Sequence, residues 1–265
     1  MPNYWEEKYL KQYVLSCAKT IPRTDRKLAV FLNGWLMEHL DSDLVERFHQ
    51  TGDNPFSIYI DEQPTMANMV FNALDAEMET IFDELLLNPN LQKFEFVSAT
   101  QKEFVILNRT VRILTEKDLS RQFYQGGAEG WYDLKIISPI TFKSQGYYQF
   151  MPDVRLFFQS LMRKYNQAIE KSEQIDIDLL DEICKKTQVV SYRLRTQRYF
   201  IHSGFVTGFL GNLTFRCHGS QTLKDYLGAM LSFGEFSGVG AKTSLGMGAI
   251  KLKNQKEENN GKAKS

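Results

Sequence analysis

Near its C-terminal end the chain runs Phe233-Gly-Glu-Phe-Ser-Gly-Val-Gly-Ala-Lys-Thr-Ser-Leu-Gly-Met-Gly-Ala-Ile250. Gly234, Gly238, Gly240, Gly246 and Gly248 surround a single cation, Lys242, with Thr243 and Ser244 beside it. Glycine costs backbone entropy, so this density calls for a turn that another group approaches closely. Main-chain donors and hydroxyls around one ammonium suit a phosphate. A Walker A loop would place Gly directly before Lys, whereas Ala241 stands there, and no nucleotide-binding domain follows. The dinucleotide fingerprint lacks its second half and its acidic ribose partner. The expectation is therefore a polymer phosphate backbone gripped by main-chain N–H groups. The alternative is a Gly-rich hairpin that only turns the chain.

Charge is distributed to match. The 32 basic and 32 acidic residues cancel. From Glu38 to Asn88, however, twelve acids face Arg47 alone, a net of −11. From Lys185 to Lys253, ten Lys and Arg face Asp225 and Glu235, a net of +8. Basic clustering is the electrostatic footprint of phosphate binding, and it falls on the half that carries the Gly-rich loop. Cys17, Cys184 and Cys217 are odd in number and far apart, which indicates neither a disulfide framework nor a zinc ribbon. No cofactor or metal is expected. Apolar runs such as Phe205–Leu213 are too short to span a bilayer, and no leader opens the chain, so a reducing cytoplasm and no membrane partner are expected.

The elements that must position the loop read as two rounds of one pattern. A strand is expected around Tyr13–Ala18, a helix over Lys27–Leu40 and a short helix over Leu44–His49. Phe56–Ile60 alternates as a strand, and Met66–Leu87 reads as one long amphipathic helix ended by Asn88-Pro-Asn90. Strands follow at Phe94–Ala99 and Phe104–Thr110, and Arg121–Glu129 reads as a polar connector. The second round has strands at Trp131–Ser138 and Thr141–Phe150, a helix over Pro152–Tyr165 and a charged surface helix within Gln167–Lys186. It closes with strands Val189–His202 and Phe205–Cys217, a helix Thr222–Phe233 and a strand Ala249–Lys253. The fold class is α+β, two tandem ferredoxin-like domains over residues 1–125 and 126–253, with a disordered polar tail at 254–265.

The Gly-rich stretch resembles the terminal signature of CRISPR repeat-processing endoribonucleases of the RAMP superfamily, most closely those of type III systems. Gly34-Trp-Leu-Met-Glu-His-Leu with Arg47-Phe-His-Gln50, Ile137–Gly146, Phe157–Met162, Tyr192–Thr196 and Gly208–Phe215 agree in order and spacing. The resemblance covers nearly the whole chain except the tail. It implies tandem ferredoxin-like domains, precursor CRISPR RNA as partner, and metal-free cleavage within each repeat. There a ribose 2′-hydroxyl attacks the adjacent phosphorus, leaving a 2′,3′-cyclic phosphate and a 5′-hydroxyl. A type III effector complex is a further candidate partner, and the chain is expected as a monomer or homodimer.

Such chemistry needs a base, an acid and a cation, and histidine titrates near neutrality. Of four histidines, His49 sits where family members carry one after the second short helix; His39 lies on the first helix at a position used less regularly. His202 and His218 flank strands and are expected to contact RNA or solvent. Relatives often have histidine immediately before Gly34, where this chain has Asn33, which cannot shuttle a proton. Candidates for the catalytic centre are thus His49, His39 and Asn33. Candidates for RNA binding are Lys143, Arg193, Arg195, Gly238, Gly240, Lys242, Thr243, Ser244, Gly246 and Gly248. A RAMP-type subunit that holds RNA without cutting is the rival reading.

Overall fold

The computed structural model describes residues 9–51, 54–172, 174–201 and 204–253, with backbone alone for His49 and Thr51. The first strand, β1 (Tyr9–Ala18), buries Tyr13, Leu15 and Cys17 on one face and Gln12 on the other. Helices α1 (Leu28–Glu38) and α2 (Ser42–Thr51) follow, then strands β2 (Phe56–Glu62) and β3 (Met66–Ala73) and helix α3 (Ala76–Leu86). Strands β4 (Lys93–Glu95) and β5 (Glu103–Thr115) complete an antiparallel sheet ordered β2-β3-β1-β5-β4.

The stretch expected as one helix over Met66–Leu87 is instead a strand and a helix. Residues 66–73 pair with β1 and β2, and Asp75 starts the helix by accepting from Met78 N at 2.9 Å. Glu77 and Glu79 in its first turn favour that helix start. The expected connector at Arg121–Glu129 is half helix: α4 (Glu116–Gln125) carries a capping box between Thr115 and Asp118, leaving only the residues after Gln125 irregular. The strand expected over Phe94–Ala99 shrinks to β4, and the one expected over Phe104–Thr110 extends to Thr115.

The second half contains β6 (Trp131–Ile140), a hairpin of β7 (Phe142–Ser144) and β8 (Tyr147–Gln149), and α5 (Val154–Tyr165). A π-turn over Asn166–Glu170 leads to α6 (Ile177–Lys186). Long strands β9 (Thr187–Ile201) and β10 (Gly204–Cys217), helix α7 (Gln221–Ser237) and strand β11 (Ile250–Leu252) finish it. The sheet is antiparallel and ordered β11-β6-β10-β9. Each sheet thus contains four strands in the 4-1-3-2 order of a βαββαβ unit, so the fold is two tandem ferredoxin-like units.

Each unit has its own core, one around Tyr13, Phe71 and Phe82, the other around Phe157, Phe215 and Phe233. Helix α4 buries Leu119 in the second core, with Phe123 stacked on Tyr226 at 5.5 Å. The first unit's sequence therefore ends by packing on the second. The expected tail at 254–265 lies outside the described residues.

Candidate nucleic-acid interface

Helix α7 runs four residues past its expected end, so Gly234 is helical and the loop proper begins at Gly238. Gly238, Gly240, Gly246 and Gly248 all have positive φ, as does Lys242 at 65°. What approaches these glycines is the protein itself. A Cβ at Gly240 would collide with Thr141 O, and one at Gly248 with Val239 O. One at Gly246 would strike both Ala29 Cβ and Tyr199 Oη.

The main-chain donors of the loop are mostly used within the protein. Val239 N donates to Gly248 O (2.8 Å), Gly240 N to Ser160 Oγ (2.8 Å), Ala241 N to Thr141 O (2.8 Å) and Gly248 N to Pro139 O (3.0 Å). Leu245 N and Met247 N both donate to Lys242 O. The expectation that main-chain N–H groups across the loop grip a phosphate is thereby corrected. Among the described residues, only the N–H groups of Lys242, Thr243 and Ser244 lack a protein acceptor within the stretch from Gly238 to Ala249. Successive N–H groups beside a left-handed residue form an anion-accepting concavity. Three free donors and the exposed Lys242 thus fall on consecutive residues of the loop.

Four segments hold that point. From α5, Lys164 Nζ donates to Ser237 O (3.0 Å), Gly238 O (3.2 Å) and Thr243 Oγ1 (2.9 Å). From α1, Asn33 Nδ2 donates to Ser244 O at 3.1 Å. Just before β2, Asn54 Nδ2 donates to Ser244 Oγ at 2.7 Å. From β9, Tyr199 Oη donates to Leu245 O at 2.7 Å, and burial raises the phenol's pKa, so it stays a neutral donor. The loop of the second unit is therefore clamped by helix α1 of the first.

The sequence candidates separate on this geometry. Asn33 is 6% exposed and its amide donates into the loop, so it braces Ser244. His39 lies just past α1, exposed, with its ring 4.4 Å from that of Trp35. Its Nδ1 is 2.7 Å from Trp35 O, an acceptor only, so Nδ1 carries a proton and donates it there. Trp35 packs against Phe71 and Phe94 of the first core, which sets His39 on a different side of α1 from Asn33. The side chain of His49, and His202, lie outside what is described; the His49 backbone is in the last turn of α2. Five residues separate it from Asn54, so its Cα lies within roughly 18 Å of the Asn54 Cα. His218 is exposed beyond β10.

Arg193 and Arg195 are exposed on β9, an edge strand, and share the parity of Tyr199, which touches the loop. Arg198 takes the opposite parity and stacks its guanidinium over Phe205 at 4.6 Å. Lys143 is exposed on the hairpin opposite Tyr148. A groove of about 360 Å³ runs past it, lined by Lys143, Gln159, Arg163, Lys164 and Gly240. A larger cleft of about 690 Å³ between α2 and α3 presents Asp41, Asp43 and Glu77 with only Arg47, a lining that repels a polyanion. Sequence reasoning missed Lys164, Ser160, Asn54 and Tyr199. The signal for Lys164 was the basic pair Arg163-Lys164 closing an apolar helix, and for Asn54 the turn before Pro55.

Comparison with known proteins agrees with this arrangement. The family model of the CRISPR-associated endoribonuclease Cas6 matches residues 134–250. The chain is 35% identical over 248 residues to the Cas6 endoribonuclease of Streptococcus thermophilus, covering 90% of this chain and 97% of that one. It is 33% identical over 232 residues to that of Mycobacterium tuberculosis, covering 85% and 71%. Among solved structures, a Cas6 product complex superposes with a TM-score of 0.73 at 22% identity, covering 93% of this chain and all of that one. Thermus thermophilus Cas6 superposes with a TM-score of 0.65 at 21% identity, covering 92% and 98%. A Gly-rich loop clamped between two ferredoxin-like units, and this identity over nearly the full length, place the chain in the Cas6 family of CRISPR-associated endoribonucleases.

Proposed function

We propose that this chain processes precursor CRISPR RNA by metal-independent cleavage within the repeat. The 2′-oxygen attacks phosphorus as its proton passes to a base, and the P–O5′ bond breaks as an acid protonates the departing 5′-oxygen. The products are a 2′,3′-cyclic phosphate and a 5′-hydroxyl. The observation that carries the reading is the Asn54–Ser244 bond, which holds the residue five positions after His49 against the loop that carries the donors at Lys242–Ser244. His49 is assigned the proton transfer, and Lys242 with its neighbouring donors the crowded phosphate oxygens. The neutral and cationic donor set supports a route in which protein groups alone meet the developing charge. Arg193, Arg195 and Lys143 are assigned to backbone contacts further along the strand. The RNA-bound protein is proposed to act in the cytoplasm, as monomer or homodimer, and to supply RNA to a type III effector complex.

A second reading rests on Asn33. The side chain that α1 turns towards the loop is not titratable, which favours a subunit that holds repeat RNA without cutting it. Incubation with the cognate repeat RNA in excess EDTA, followed by end-group analysis, separates the two. The expected result is one cut ending in a 2′,3′-cyclic phosphate. Tight binding with intact RNA would establish the non-cleaving reading instead.

A further inference from the structure

The three ammonium contacts of Lys164 do more than close a helix. Two of them, to Ser237 O and Gly238 O, cap the C-terminal end of α7. The third goes to a hydroxyl, Thr243 Oγ1, at 2.9 Å. An ammonium has donors only, so Thr243 must accept, and its own O–H proton is left to point elsewhere. Among the described residues no acceptor takes that proton. Thr243 is half-exposed and its methyl is fixed by the loop, for it stands where a Cβ on Gly238 or Gly248 would be, at 2.8 and 2.9 Å. The hydroxyl therefore cannot swing round its χ1 to another partner without opening the loop.

We infer that Lys164 is a positioning residue that sets the Thr243 hydroxyl as a donor to a phosphate oxygen of the bound RNA. This rests on the RNA-binding reading above and deepens it. A bond accepted from a cation occupies one lone pair of the hydroxyl and polarises its O–H, which strengthens it as a donor. An anion meets that proton with no reorganisation of the loop. The arrangement favours anionic oxygens at this point, and it couples the end of α5 to the RNA although Lys164 itself need not touch it.

The test is equilibrium binding of repeat RNA over a salt series, in EDTA, with unfolding midpoints measured in parallel. Thr243→Val keeps the volume and removes the donor. It is expected to weaken binding about tenfold, since a hydrogen bond to a charged group is worth about 1.5–3 kcal/mol. The salt slope should not move, because a neutral group is lost, and the unfolding midpoint should fall only by the small amount due to the lost Lys164 bond, less than in proportion to the affinity. Thr243→Ser keeps the donor and should bind within about twofold of the parent. In a Lys164→Met background, adding Thr243→Val should cost less than about twofold, because the hydroxyl is no longer oriented. Parental affinity in Thr243→Val, a midpoint that falls in step with affinity, or the full tenfold loss recurring in the Lys164→Met background would each overturn the inference. If Lys164→Met does not fold, the Val and Ser pair at 243 still decides whether the hydroxyl donates. A parent chain that does not bind repeat RNA at all would overturn the functional reading, whereas a binding parent with an indifferent Thr243 overturns only this one.

Discussion

Two histidines ten residues apart stand at different points of the fold. His39 stacks on Trp35 and spends Nδ1–H on a helix carbonyl, on a side of α1 away from the loop. His49 stands at the end of the helix that leads to Asn54 and the loop. His49→Ala is therefore expected to lower the single-turnover cleavage rate by roughly a hundredfold or more with RNA affinity preserved. His39→Ala should stay within a few-fold. Parallel rate and filter-binding measurements check both, and a reversed order would move the proton transfer to His39. The residue scale is also where the sequence was hardest to read. The Gly-rich stretch was legible as a functional landmark, but the reason for its glycines was not. Gly240, Gly246 and Gly248 make room for Thr141 O, for Ala29 with Tyr199, and for Val239 O, contacts made across up to about two hundred residues of chain. Nothing local encodes such neighbours. Asn33 drew notice in the sequence for its place before Gly34; its partner, Ser244 O, lies 211 residues away and was not legible.

Among elements, strand alternation and helix periodicity recovered most of the order, because β1 and β10 bury alternate side chains over part of their length. Met66–Leu87 misled because β3 is buried on both faces, by the core on one side and the second unit on the other. Its apolar residues then stop alternating and merge with the stripe of α3. Asp75 followed by Glu77 and Glu79 marked the break. The packing of α1 on the loop is the element-level feature that holds the site. Gly246→Ala would drive a methyl between Ala29 and Tyr199 at a φ of 99°. The expected cost is roughly 3–5 kcal/mol of unfolding free energy, from the strained backbone together with the overpacking. Denaturant unfolding checks this, and a cost below about 1 kcal/mol would show that α1 and the loop do not bear on each other.

At the scale of the molecule, the acidic and basic halves meet along a polar seam. Lys251 pairs with Asp61 at 2.6 Å and Arg112 with Glu235 at 2.8 Å. Between them Gln12 donates to Asn72, Asn72 to Ser57 and Ser57 to Phe236 O, a buried relay with every link between 2.5 and 2.8 Å. The exposed positive charge of the second half is left for a ligand. Replacing Arg193 or Arg195 by Ala should weaken binding to any RNA sequence alike and reduce the salt slope by about one for each phosphate no longer neutralised. A titration of affinity against salt reads it directly, and an unchanged slope in both variants would take β9 out of the interface.

The seam also has an order in time. A chain emerging from the ribosome folds from its N-terminal end. Asn33 and Ala29 are made about two hundred residues before the loop that covers them, and β11, which pairs with β6, comes after that loop. The first unit therefore waits, with the loop-binding side of α1 uncovered, until the second unit has been synthesised through the loop. A product terminated before Gly238 can complete the acidic unit yet lacks the donors at Lys242–Ser244, the group with which the finished protein is proposed to hold RNA.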